Sequence, residues 1–485
     1  MPDSSADRHR HALVARCGPD AVRWDEQSLA AHSHDTWCLS VLQALRGTLN
    51  SRPLCVVSPA ATEHVSAVLR YANQHRLAVV PYGAGSGVCG GVLPAADAIV
   101  VDVRRMDRIL ELNDVALTVR VQAGMMGNAF EAALNEAGYS MGHFPQSIDV
   151  STVGGWVATR AAGQYSTRYG CIEDILLGLE VVLPDGEVLR TRVGPRSATG
   201  PDLRQLFLGS EGTLGVVTEL TVRMFPKPES SVGQAFSFTS MHDGLEAIRS
   251  IMRAGWKPPV VRLYDGAETA RLFPSVSRGD NCLLILLSEG PATLVAAESA
   301  ACAASSTAQG GTAVGTEPVQ RWLAERNQVP RFEVFLERGL VLDTIEVATT
   351  WDHIHDLYRE VVAALQAVPG TIVASGHSSH SYAQGTNIYF TFVARPADTA
   401  DAEATYLGCW QQAMEATLRC HGTISHHHGI GRLRVPWMAR ELGAGVGVLR
   451  GIKRALDPNG IMNPGVLIPE EQPTVAGSPS TARSS

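Results

Sequence analysis

Three consecutive histidines carry more chemistry than any other short run in the chain: His426, His427 and His428, within SHHHGIGRLRVPWM. Imidazole is the side chain whose ordinary pKa lies near neutrality, so such a triplet can move a proton or pair with a carboxylate or phosphate. A metal site competes with that use, but in an extended segment successive side chains alternate faces and only His426 and His428 would share an ion. Ile424 and Ile430 frame the triplet as internal structure rather than a solvated tag. Tyr389 is a second candidate, in the strand-like run TNIYFTFV at 386–393 with Thr391 on the same face. A core tyrosine with a satisfied hydroxyl would read the same way.

Glycine supplies the other chemistry. Pro81-Tyr82-Gly83-Ala84-Gly85-Ser86-Gly87 follows an apolar run, and its missing side chains let backbone N–H groups face an anion. A tight turn between strands would explain the spacing equally well. It is not a Walker loop, because no Gly-Lys-Ser/Thr follows, nor a Rossmann fingerprint, because no helix begins at Ser86. A longer stretch runs Gln146-Ser147-Ile148-Asp149-Val150-Ser151-Thr152-Val153-Gly154-Gly155 and offers hydroxyls and amides to a pyrophosphate, with Thr159-Arg160-Ala161-Ala162 as a second approach. Arg160 has two uses: contact with phosphates, or a salt bridge to Glu173 or Asp174. Glu211-Gly212-Thr213-Leu214-Gly215-Val216-Val217 is the third glycine-bearing loop.

The elements that position these residues alternate in type. Residues 1–50 read as mostly helical, and 62–75 as an amphipathic helix between strands at 56–57 and 77–80. Strands follow at 98–103 and 117–121, a helix at 127–137, and a hairpin from 175–183 to 188–190 across Pro184-Asp185-Gly186. The glycine-rich organisation stops at Pro228, which sets a boundary. Beyond it, 333–342, 343–347 and 351–365 read as helix, strand and helix, 292–315 as a helix and a loose loop, and the tail 470–485 as disordered.

Composition narrows the class. The chain has 485 residues, 45% hydrophobic and 18% charged, so it has ample capacity for several cores. A net charge of -8 with no dense basic run argues against nucleic acid as a partner. No run approaches the ~18 apolar residues of a membrane span, and the polar amino terminus lacks a secretory h-region. Nine scattered cysteines without zinc spacing favour reduced thiols and a cytoplasmic location.

PYGAGSG, PQSIDVSTVGGWVATRAAG with RYGCIEDILLGLEVVLPDGEV, and GSEGTLGVVTELTVR together resemble the vanillyl-alcohol-oxidase type of FAD-linked oxidoreductase. Within it, the alkyldihydroxyacetonephosphate synthases and bacterial FAD-binding oxidoreductases are the nearest likeness, over about 54–469. The resemblance implies an α+β fold with a two-subdomain PCMH-type FAD-binding domain at 51–228. It also implies an α+β cap with an antiparallel sheet at 229–420, and a segment at 421–469 that returns to the flavin domain. It further implies FAD, a small-molecule substrate and a homodimer.

By the same resemblance Tyr389, His426, His427, His428 and Arg262 are catalytic, and the three glycine-bearing stretches bind the cofactor. His143, His380, Arg331 and Phe332 fall at substrate-binding positions; Phe332 stands where the synthases carry an arginine, with Arg331 adjacent. Related dehydrogenases of 2-hydroxy acids bind a metal, but Tyr389 and His427 replace two of its three ligands, so no metal is expected. Cys89 and Cys171 do not sit in covalent-attachment motifs, so the FAD is expected to be noncovalent. The leading expectation is oxidation of a CH–OH group in an acidic, phosphorylated or sugar-like substrate by hydride transfer to flavin N5. The alternatives are a synthase-type transfer through a flavin N5 adduct without net redox, and a non-catalytic flavin-binding interaction module.

Overall fold

The computed structural model describes residues 4–329 and 331–470; the expectation for the tail falls, from 471 onward, outside the described residues. In the first half, helix Thr62–His75 buries Val65, Val68, Leu69 and Ala72, spaced to share one face. Arg76, in the left-handed conformation, ends it. Short buried strands Cys55–Val57, Ile99–Asp102 and Val79–Tyr82 pair in parallel with Ile99–Asp102 between the other two. Val22–Arg23, from the mostly helical amino-terminal segment, extends that sheet antiparallel. A second, antiparallel sheet runs Ile109–Asn113, Thr118–Gln122, Val216–Arg223, Leu176–Val182, Val188–Arg190. The two sheets share one apolar core that includes Val79, Val121, Trp156 and Val181.

The cap is built on a seven-stranded sheet in the order Thr312–Ala313, Ser230–Phe238, Cys282–Gly290, Val260–Tyr264, Thr371–Ser378, Gly385–Ala394, Val341–Thr350. Every pairing is antiparallel. Cys282–Gly290 is buried at all positions, as a central strand covered on both faces must be. Helices Met241–Arg253, Ile354–Gln366 and Ala402–Arg419 contribute to a second core. That core also takes Trp37, Leu39 and Leu42 from the amino-terminal segment, and Trp37 Nε1 donates to Tyr406 Oη at 2.9 Å.

Two elements differ from the sequence reading. The helix expected at 333–342 forms only one turn, Glu333–Leu336; Gly339 then adopts φ +71, and the chain enters a strand at Val341 that pairs with Gly385–Ala394 over ten positions. Strand Ile109–Asn113 lies at a sheet edge with none of its residues buried, so it lacks the apolar run that marks the central strands. The carboxy-terminal stretch meets the first sheet directly: Val79 N donates to Ile461 O at 2.8 Å, and Asn463 N to Val79 O at 2.8 Å. Among the described residues, no helix is long and apolar enough to cross a membrane.

Candidate active site

The three glycine-bearing stretches converge. A Cβ on Gly83 would collide with Thr152 Oγ1, and one on Gly212, which sits at φ +73, would lie 2.8 Å from the Pro81 ring. Thr152 also accepts from Gly155 N at 3.2 Å and so fixes the start of helix Val153–Thr159. Thr36 N and Oγ1 donate to Gly87 O, both at 2.9 Å, which holds the first loop in shape from the amino-terminal segment.

Within that frame the expected cofactor residues fall into different settings. Gly83, Ala84, Gly85, Ser86 and Gly87 are half-buried along one run. The Tyr82 ring lies 4.7 Å from His32 and under the Arg104 guanidinium, with its hydroxyl against Gly85. Ile148, Ala161, Ala162 and Leu214 are buried, Ser147 and Thr159 half-buried, and Gln146, Asp149 and Val150 exposed. Ser151 Oγ accepts from Trp156 Nε1 at 2.8 Å. Thr213 Oγ1 donates to Ser210 O at 2.7 Å, and Val216 and Val217 open a strand. Arg160 donates from Nε to Glu173 Oε1 at 3.1 Å, the salt-bridge alternative of its two readings.

Glu211, one of the expected cofactor residues, also ties two segments together. Its buried carboxylate accepts from Ile430 N at 2.7 Å and Gly431 N at 2.8 Å, which clips the third glycine loop to the histidine segment. Burial pushes its pKa up to about 7.

The histidine triplet is organised around Glu346, which its residue type alone did not single out. Glu346 Oε1 accepts from Ser425 Oγ at 3.0 Å, His427 N at 3.2 Å and His428 N at 2.8 Å, and Arg434 donates to both carboxylate oxygens. Burial alone would raise its pKa, but Arg434 and His428 more than offset that and hold it well below the ordinary value. His428 Nδ1 lies 3.0 Å from Glu346 Oε2, an ion-pair distance without hydrogen-bond alignment. Arg434, fully buried, was the other omission; an arginine inside the apolar GRLRVPWM run was the available signal.

His426 and His427 face the other way. Their Nδ1 atoms are 2.9 Å apart, and His426 Nε2 is 2.7 Å from Tyr382 Oη. His380 completes the group, its ring 5.0 Å from each and its Nδ1 2.7 Å from Ser166 Oγ. Desolvation pushes His426 down to about 4 and holds His427 and His380 well below the ordinary imidazole value.

Tyr389 stacks between His427, at 6.0 Å, and His377, at 5.0 Å; its hydroxyl accepts from Thr344 Oγ1 at 3.0 Å, and burial raises its pKa. Arg262 donates from its terminal nitrogen to His377 Nε2 at 2.9 Å and from Nε to Tyr264 Oη at 2.8 Å, while His377 Nδ1 lies 2.7 Å from Glu268. Among the described residues no carboxylate pairs with Arg262 directly. His377 therefore links Glu268 to Arg262.

Arg331 is exposed and Phe332 packs against the cap core; among the described residues no hydrogen bond or ring contact joins either to the histidines. A half-buried cation, Arg326, instead donates to Gln164 Oε1 at 2.8 Å among Phe144, Tyr165 and Trp322. His143 lies against Trp156 at 5.0 Å, fully buried, with neither ring nitrogen hydrogen-bonded; burial pushes it down to about 3. An orphaned buried imidazole beside converging glycine loops fits a site built around a bound group.

Comparison with known proteins agrees with this geometry. Residues 53–192 match the FAD binding domain family, and 227–467 the C-terminal domain of FAD linked oxidases. The FAD-linked oxidoreductase YgcU of Escherichia coli (strain K12) is 36% identical over 439 residues, spanning 87% of this chain and 90% of that protein. The alkyldihydroxyacetonephosphate synthase of Dictyostelium discoideum is 28% identical over 486 residues, 93% of this chain and 79% of that one. A solved alkyldihydroxyacetonephosphate synthase superposes with a TM-score of 0.80 at 23% identity, over 97% of this chain and 86% of the other. The chain thus belongs to the FAD-linked oxidoreductases and is an FAD-dependent member of that family.

Proposed function

We propose that the enzyme oxidises a CH–OH group in a small polar substrate that carries an anionic, phosphorylated or sugar-like group. The observation that carries this reading is the continuous line Arg262, His377, Tyr389, His427, in which a guanidinium without a carboxylate partner stands at one end and a neutral imidazole at the other. Arg262 keeps N–H donors for the substrate anion. His427, half-buried and held below the ordinary imidazole value chiefly by desolvation, accepts the hydroxyl proton, and Tyr389 orients the hydroxyl oxygen. Residues 81–87, 146–162 and 211–217 hold FAD, which when bound supplies the two-electron acceptor for the hydride leaving the substrate carbon.

Cys89 and Cys171 are buried, with the Cys171 thiol pushed up to about 12, which supports noncovalent FAD. Acid precipitation should then leave the flavin in the supernatant, and a yellow pellet would refute it. The nine free, buried cysteines support a reducing cytoplasmic setting; the homodimer rests on family resemblance, and sedimentation analysis tests it.

The test of the reaction is anaerobic mixing of the holoenzyme with 2-hydroxy acids, phosphorylated polyols and sugar alcohols. At least one class should bleach the flavin. Silence across the panel, with incorporation of a labelled long-chain alcohol into an acyl-dihydroxyacetone-phosphate substrate, would replace this reading with non-redox transfer.

A further inference from the structure

We propose that His426 and Tyr382 form a proton wire that carries the substrate hydroxyl proton from His427 out to a solvent-facing cavity. The wire rests on the oxidation reading for the origin of that proton, and on three contacts for its route. His427 Nδ1 and His426 Nδ1 are 2.9 Å apart, His426 Nε2 is 2.7 Å from Tyr382 Oη, and Tyr382 Oη is 3.5 Å from Cys171 Sγ. One set of tautomers satisfies all three. With the phenol hydrogen aimed at Cys171 Sγ or the cavity, Tyr382 Oη accepts from His426 Nε2. His426 Nδ1 is then a bare lone pair that accepts from His427 Nδ1, which leaves His427 Nε2 as the free base. The tautomer that makes His427 a proton acceptor is thus set from the far end of the wire.

As the substrate C–H bond breaks, the hydride leaves with both electrons, a C=O bond forms, and the hydroxyl proton bonds His427 Nε2. The His427 Nδ1 proton passes to His426 Nδ1, the His426 Nε2 proton to Tyr382 Oη, and the phenol proton to water in the cavity. Each ring ends neutral in its other tautomer, and one proton is released per hydride. After product leaves, loss of the proton on His427 Nε2 and return of one along the wire restore the starting set. Desolvation holds both imidazoles below the ordinary value, so neither stores the proton as a cation. Burial raises the Tyr382 hydroxyl, which therefore relays as a phenol. The opposite direction is closed: His428 Nδ1 faces Glu346, which Arg434 already pairs, and both partners are fully buried. On the open side, Tyr382 and His426 line a cavity of about 420 Å³ together with Glu173, Asp174 and the exposed Arg160. Those two carboxylates are fixed at its wall, Glu173 by Arg160 at 3.1 Å and Asp174 by Cys171 N at 2.9 Å.

The experiment has two arms on the holoenzyme. Without substrate, NMR of 15N-histidine-labelled protein times the exchange of imidazole N–H protons with water. Tyr382→Phe removes the hydroxyl between His426 and the cavity and should slow exchange at His426 and His427 by about tenfold or more. With substrate, anaerobic stopped-flow mixing in weak buffer follows flavin bleaching and, through a pH indicator, proton release. Release should keep pace with bleaching in the wild type and trail it by about tenfold or more in Tyr382→Phe. Added imidazole buffer should restore it, a rescue that a merely structural tyrosine would not show. Where flavin content or thermal melting shows that Tyr382→Phe fails to fold, His426→Gln takes its place, read at His427. Unchanged ring exchange in the folded variant, or release that keeps pace with bleaching without added imidazole, would overturn the wire. Where no substrate bleaches the flavin, the oxidation reading fails by itself and the exchange arm still decides the route.

Discussion

His427, in the histidine loop, and Glu346, in the strand beneath it, behave very differently. His427 touches the space where substrate chemistry would occur, so His427→Gln should slow anaerobic flavin reduction by about 10²–10⁴-fold and leave the melting temperature nearly unchanged. Glu346 and Arg434 instead hold the loop from beneath, both at 0% side-chain exposure. Arg434→Met would strand a buried carboxylate and should cost about 3–5 kcal/mol of stability, measured by denaturant unfolding. The triplet was legible because its residue type names its chemistry. Glu346 was not, because the charge that makes it structural, Arg434, lies far along the chain.

Elements explain what residue types cannot. Helix Thr62–His75 could be bounded from sequence because its apolar period and its packing agree. The 333–342 stretch misled because the helix stops before Gly339 and its last two residues, Val341 and Leu342, open a ten-residue pairing with a distant strand. The clip between the third glycine loop and the histidine segment is likewise long-range, one carboxylate accepting from two amides. Glu211→Ala should raise amide hydrogen exchange in residues 425–434 by about tenfold or more and weaken FAD retention on dilution, since charge-assisted hydrogen bonds are worth about 1.5–3 kcal/mol each. Unchanged exchange there would dismiss the clip.

For the molecule as a whole, buried imidazoles tie stability to acidity. His143 and His426 fall to about 3 and about 4 in the folded chain, below the ordinary 6.5. Their depressed values contribute stability that is fully present above pH 6.5 and lost as pH falls toward those folded values. Asp35 and Asp343, each raised to about 6, act in the opposite sense: their contribution is present at low pH and lost as pH rises through 6. A His143→Phe variant should therefore lose about 2 kcal/mol less than wild type between pH 7 and pH 5, read from paired unfolding curves at each pH. The nine cysteines add a different consequence. All are buried and unpaired, with Cys17 pushed up to about 11 by burial, so the native surface offers almost no thiolate to an electrophile. A chromogenic thiol reagent should stay colourless on the folded enzyme and develop only as molecules open. The chain thus carries an internal clock for its own breathing, whose rate can be read without a substrate, a label or a mutation.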